Sequence, residues 1–164
     1  MRHPLEALLN ADAFDILSAI QKGHRAIVDV KGKLAEYYLD KELAELKKKG
    51  IIQDYFWSDK DGQPDFFIDH QGKKIMMECK NVRSGDQYRT KAEYTVEIQK
   101  TRNSKDGSNT RGYRVAEFNI LAACLFNQTK QWEYRFALTR HLEKRSEERS
   151  ILKIMQPVPV VPKR

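Results

Sequence analysis

The sequence has 164 residues, with 30 Lys+Arg against 23 Asp+Glu and a net charge of +7. Hydrophobic residues at 40% and charged residues at 32%, with 8 Gly and 5 Pro, exclude a disordered or low-complexity chain. No stretch approaches the roughly 18 consecutive apolar residues of a spanning helix, and the first residues show no signal-like apolar run. A cytoplasmic protein with no membrane partner is therefore expected.

The first half reads as helical. Leu5, Leu8, Leu9, Ala13, Ile16, Leu17 and Ile20 recur at helical spacing, and Gly23 follows as a stop. A second helix is expected from Arg25 to Lys49, with Ile27, Val30, Leu34, Tyr38 and Leu46 as its stripe, a weak point at Gly32 and a cap at Gly50. After Gly50 the pattern changes to short strands: Ile51–Trp57, Asp65–Asp69, a hairpin connection at His70–Lys73, then Lys74–Lys80. The segment from Tyr88 to Thr101 fits helix or strand, and Asn103–Gly112 has loop composition. Two further strands are expected, Val115–Phe126 and Trp132–Leu138. The expected fold class is α/β: N-terminal helices followed by a central mixed sheet of about four to five strands. One domain over residues 1–156 is expected, with 157–164 as an extended, poorly packed Pro-rich tail.

The chemistry concentrates in Pro64-Asp65 and, after twelve intervening residues, Glu78-Cys79-Lys80. Side chains alternate across a strand, so Glu78 and Lys80 share one face while Met77 and Cys79 share the other. A hairpin through Gln71-Gly72 brings Asp65 toward the same place. Two carboxylates and an ammonium then converge, a donor set suited to Mg²⁺, which prefers carboxylates, waters and substrate phosphate. Lys80 would orient or deprotonate an attacking water and stabilise developing negative charge. The same spacing also fits three charged residues on the solvent side of a hairpin. Asp69 competes with Asp65, since it shares that residue's strand face.

Those residues, Pro64-Asp65-Phe-Phe-Ile-Asp69 and Ile75-Met-Met-Glu78-Cys-Lys80-Asn81, resemble the core motif of the PD-(D/E)XK nuclease superfamily, with its restriction-endonuclease-like fold. Roughly Lys33 to Leu138 follows that arrangement. The resemblance implies Asp65 and Glu78 as metal ligands, Lys80 as the catalytic lysine, and Glu36 as an additional acidic residue on the preceding helix. Glu36 equally fits a solvated helix residue paired with a basic neighbour. The activity implied is Mg²⁺-dependent endonucleolytic hydrolysis of DNA, with Mn²⁺ as a substitute.

Eight basic residues between Arg83 and Arg114 sit among amides, hydroxyls and glycines, a composition suited to gripping phosphates. Gln99, Lys100, Arg102, Arg111 and Arg114 are the expected DNA contacts; the bland alternative is a charged surface. A compact chain with no separate DNA-reading domain needs a second copy to cut both strands, so a homodimer is expected. No GxxxxGK(S/T), GxGxxG or CxxC occurs, and a nucleotide cofactor is not expected. Restriction-like cleavage is the first reading. The alternative is a non-catalytic nucleic-acid-binding module or a subunit of a larger DNA-processing complex. The four scattered histidines lack paired spacing for zinc, His70 reads as a turn residue rather than a general base, and Cys79 as a small buried hydrophobe rather than a nucleophile. Trp57, Tyr88, Tyr94 and Tyr113 fit base stacking or, equally, sheet packing.

Overall fold

A computed structural model describes residues 2–88, 92–100 and 111–160, with residues 86 and 87 described by their backbone alone. The chain divides into two compact units, one up to Leu34 and one from Ala35 onward. No helix among the described residues is long and apolar enough to cross a membrane.

The first unit holds α1 (Pro4–Leu9), α2 (Ala13–Lys22) and the start of α3 (His24–Lys48). The apolar periodicity of residues 5–20 suggests one helix, but the chain breaks it with two capping residues. Asn10 adopts the left-handed conformation and closes α1, and Asp12 caps α2 by accepting a hydrogen bond from the Asp15 N–H at 2.8 Å. Helix α3 runs unbroken through Gly32. It ends at Gly50, whose φ is +70°. There Ile51 N–H reaches Leu46 O and Gly50 N–H reaches Lys47 O, the paired bonds of a Schellman cap.

In the second unit α3 buries Ala35, Leu39 and Leu43. That stripe is rotated by one residue from the expected Leu34/Tyr38 face. The small Ala35 lets the helix approach the sheet closely, and its carbonyl accepts the Tyr134 hydroxyl at 2.5 Å. Tyr38 flanks the stripe and stacks on Trp132 at 5.1 Å.

The sheet is mixed, as expected, but has seven strands rather than four or five. They are β1 (Asp54–Trp57), β2 (Phe66–His70), β3 (Lys73–Gln87), β4 (Glu93–Glu97), β5 (Ile120–Cys124), β6 (Tyr134–Leu138) and β7 (Met155–Pro159). The order is β1-β2-β3-β4-β7, with β5 beside β3 and β6 beside β5. Only β3–β5 pairs in parallel; the other pairs are antiparallel. Gln71 and Gly72, both at positive φ, make the two-residue turn between β2 and β3.

Strand β3 is twice the expected length at 15 residues. Its first part pairs with β2 and β5, and its last part with β4 across an irregular register. Beyond Asn81 it leaves β5, because the expected strand Val115–Phe126 is regular only over Ile120–Cys124 and then turns into the short helix α4 (Phe126–Thr129). Side-chain amides of α4 take over as donors: Asn127 to Val82 O at 2.8 Å and Gln128 to Arg83 O at 2.6 Å.

Residues 157–159 of the expected tail, together with Met155 and Gln156, form β7 against β4, while residues 161–164 lie outside the described residues. Val160 N–H bonds to Ala92 O and Ile98 N–H to Ile154 O. That parity sends the missing N–H of Pro157 and Pro159 to the free edge, where proline is tolerated and blocks further pairing.

Two cores result. One lies between α3 and the sheet and includes Phe66, Ile68, Met77, Cys79, Ala122, Cys124 and Tyr134. The other lies on the opposite face and includes Val82, Val96, Phe118, Leu121, Ala123, Leu125 and Leu152.

Candidate active site

Alternation along β3 places Met77 and Cys79 in the helix-side core, and sends Glu78 and Lys80 to the opposite face. The β2–β3 ladder ends at Phe66↔Met77. Continued by one position, its register sets Asp65 opposite Glu78, and by two, Pro64 opposite Cys79. The Asp65 carboxylate, rather than a strand carbonyl, takes the Cys79 N–H, with Oδ2 at 2.8 Å. A proline followed by an aspartate thus ends the ladder and fastens the carboxylate to the main chain between Glu78 and Lys80.

Glu78 is 3% exposed. Its Oε1 accepts hydrogen bonds from Lys80 Nζ at 2.7 Å and from the Tyr113 hydroxyl at 2.5 Å. The Tyr113 ring packs edge-on against Phe118, at 5.3 Å between centroids. Two ammonium groups lie near it, Lys80 at 6.0 Å and Lys100 at 5.7 Å. Asp65, Glu78 and Lys80 therefore meet, as the spacing suggests, and Tyr113 joins them. No sequence pattern marks Tyr113, which lies 35 residues beyond Glu78. Sheet packing and contact with the charged cluster are both part of its position.

The electrostatics follow from burial. Desolvation, and then the charge of Glu78, push the Asp65 carboxyl up to about 7, against the opposing pull of Lys80 and the Cys79 N–H. Burial works to lower the Lys80 pKa, but Glu78, Tyr113 and Asp65 outweigh it and raise it, so the ammonium stays charged at neutral pH. Burial also raises the Tyr113 hydroxyl, which stays a donor.

Glu36 accepts a hydrogen bond from Trp57 Nε1 at 2.9 Å, and its charge contributes to raising Asp65. It stands near the pair, fastened to an aromatic residue. Asp69 lies at the other end of β2, opposite Lys74, whose ammonium is 3.9 Å away. Of the two competing aspartates, the structure brings Asp65 to Glu78 and Lys80.

The expected DNA contacts are spread differently. Gln99 donates to Glu97, and Lys100 pairs with Glu117 at 2.5 Å. Arg111 is exposed and its Nε reaches Lys100 O at 3.1 Å, while Lys100 N–H reaches Arg111 O at 2.7 Å. Arg114 is exposed, with its N–H on Glu117 at 2.5 Å. Arg102 lies outside the described residues.

The donor chemistry fits a hard divalent cation. Asp65 uses Oδ2 and Glu78 uses Oε1 for protein hydrogen bonds, so each keeps one carboxylate oxygen with no protein donor among the described residues. Two carboxylates with waters and substrate phosphate suffice for Mg²⁺. Among the described residues no group of three or more His, Cys, Asp or Glu side chains is arranged to hold a metal.

No family model matches the sequence, and no curated protein matches it. A solved structure described as that of a bacterial homing endonuclease, I-Ssp6803I, aligns over 83% of this chain and 78% of that chain, at 13% identity and a TM-score of 0.46.

Proposed function

We propose that this protein is a metal-dependent endodeoxyribonuclease of the PD-(D/E)XK type, acting on DNA as a homodimer in a restriction-like role. The observation that carries the reading is the buried pair Asp65–Glu78 with Lys80 Nζ 2.7 Å from Glu78. Two adjacent buried carboxylates are electrostatically costly: burial first, and then the charge of Glu78, raises Asp65. A bound divalent cation relieves that cost, which structural packing by itself does not require.

Asp65 and Glu78 would hold Mg²⁺ or Mn²⁺. When bound, that ion supplies Lewis-acid polarisation of the phosphoryl oxygens. Lys80 remains an ammonium beside the carboxylates. It orients the attacking water by hydrogen bonding and stabilises the charge that builds on the phosphate, rather than taking a proton. Lys100, Arg111 and Arg114 hold the DNA backbone. Lys100 first exchanges Glu117 for a phosphate, and the like charge of Glu117 then sets how tightly DNA is held.

The test is cleavage and binding measured on the same DNA. Wild type should cut in Mg²⁺ or Mn²⁺ and not in EDTA. Asp65→Asn and Glu78→Gln should abolish cutting while a gel shift still shows binding. Binding without cleavage under every metal condition would instead support the non-catalytic module.

A further inference from the structure

We infer that Tyr113 is a positioning residue for the carboxylate pair, selecting which oxygen of Glu78 is left for the cation. The inference rests on the metal-site reading above and deepens it. Tyr113 and Lys80 both donate to the same oxygen, Oε1. A carboxylate held by two donors on one oxygen cannot rotate freely, and the other oxygen, Oε2, keeps no protein donor among the described residues. Glu78 Oε2 and Asp65 Oδ1 are then the oxygens available to a cation. Without the phenol, Lys80 alone holds Glu78, and a single flexible ammonium does not fix the carboxylate plane.

The main chain is built to deliver this phenol. Gly112, immediately before it, is buried against Ile151 and Arg145. A Cβ on Gly112 would stand 2.8 Å from Ile151 Cγ2 and 3.1 Å from an Arg145 guanidinium nitrogen. Ile151 is itself 2% exposed, so it cannot step aside. Leu152 N–H bonds to Tyr113 O at 2.9 Å, and Phe118 holds the ring edge-on. The mutual bonds between Lys100 and Arg111 tie down the chain two residues upstream. A tyrosine needed only for packing uses its ring; here the hydroxyl, the backbone and the preceding glycine all serve one contact with Glu78.

Tyr113→Phe removes the hydroxyl and keeps the ring. Metal affinity is read by Mn²⁺ titration followed by electron paramagnetic resonance, alongside steady-state cleavage and a thermal melt. Partners that orient a metal ligand are worth about 10- to 100-fold in affinity or activity. The expected result is Mn²⁺ affinity weakened at least about tenfold, kcat lowered similarly and KM for DNA unchanged. Gly112→Ala, which displaces Tyr113 without changing its chemistry, should weaken Mn²⁺ binding in the same direction. Wild type that binds Mn²⁺ while Tyr113→Phe binds and cuts equally well would overturn this inference alone. Wild type that binds no Mn²⁺ would overturn the metal-site reading and this inference with it.

Discussion

Replacing Asp65 with Asn should reverse part of the pH dependence of stability in metal-free protein. Folding takes the Asp65 carboxyl from 3.8 to about 7, chiefly through burial. An acid whose folded pKa is raised favours folding while protonated and opposes it once ionised. Its contribution is therefore harmless below pH 4, becomes unfavourable as pH rises from 4 to 7, and is constant above. The full span costs on the order of 4 kcal/mol, of which roughly 2–3 kcal/mol develops between pH 5 and pH 8. Asn retains an oxygen for the Cys79 N–H but carries no charge, so it stands in for the protonated carboxyl at pH 5 and lacks the ionised form's penalty at pH 8. Urea unfolding in EDTA at the two pH values gives the stability difference between variant and wild type, which cancels other titrating groups. That difference should shift in favour of Asp65→Asn by roughly 2–3 kcal/mol on going from pH 5 to pH 8. A difference that stays constant, or moves toward wild type at high pH, would refute the burial-driven strain on the pair.

Other perturbations follow from the same geometry. Mg²⁺ or Mn²⁺ should raise the melting temperature of wild type more at pH 8 than at pH 5, because only an ionised Asp65 is an effective ligand; the thermal shift should vanish in Asp65→Asn. Gly32→Ala adds a Cβ that meets nothing within 4 Å in an unbroken helix, so chemical denaturation should show a gain of about 0.5–1 kcal/mol. Truncation after Ile154 removes β7, including the buried Gln156 and Val158. It should destabilise the sheet enough to be seen as faster proteolysis, whereas a dispensable tail would leave proteolysis unchanged.

The hairpin carrying the site is legible in the sequence because its signals are local. A Gln-Gly turn, alternating residues on β3 and a proline ahead of Asp65 fix register within 17 residues, and the register alone puts Asp65 opposite Glu78. What escapes is set at long range. Tyr113 reaches Glu78 through packing on Phe118 and a main-chain bond from Leu152, with no periodicity to announce it. Strand β7 hides behind prolines whose acceptability depends on which edge they face, a property of pairing with β4. The helix stripe slips by one residue because Ala35, unremarkable by hydropathy, suits the closest contact with the sheet. Capping by Asn10 and Asp12 is local and readable, but the apolar spacing on either side conceals it.

The most direct measurement compares wild type with Lys80→Ala on supercoiled plasmid in Mn²⁺, with both proteins shown to have the same melting temperature within a few degrees. Lys80 takes no part in the hydrophobic cores, and in this account the bound Mn²⁺ offsets the Glu78 charge that the variant leaves without its ammonium. The expected result is nicking or linearisation by wild type and none by Lys80→Ala. Equal cleavage by the two proteins would contradict the assignment of the site at Asp65, Glu78 and Lys80.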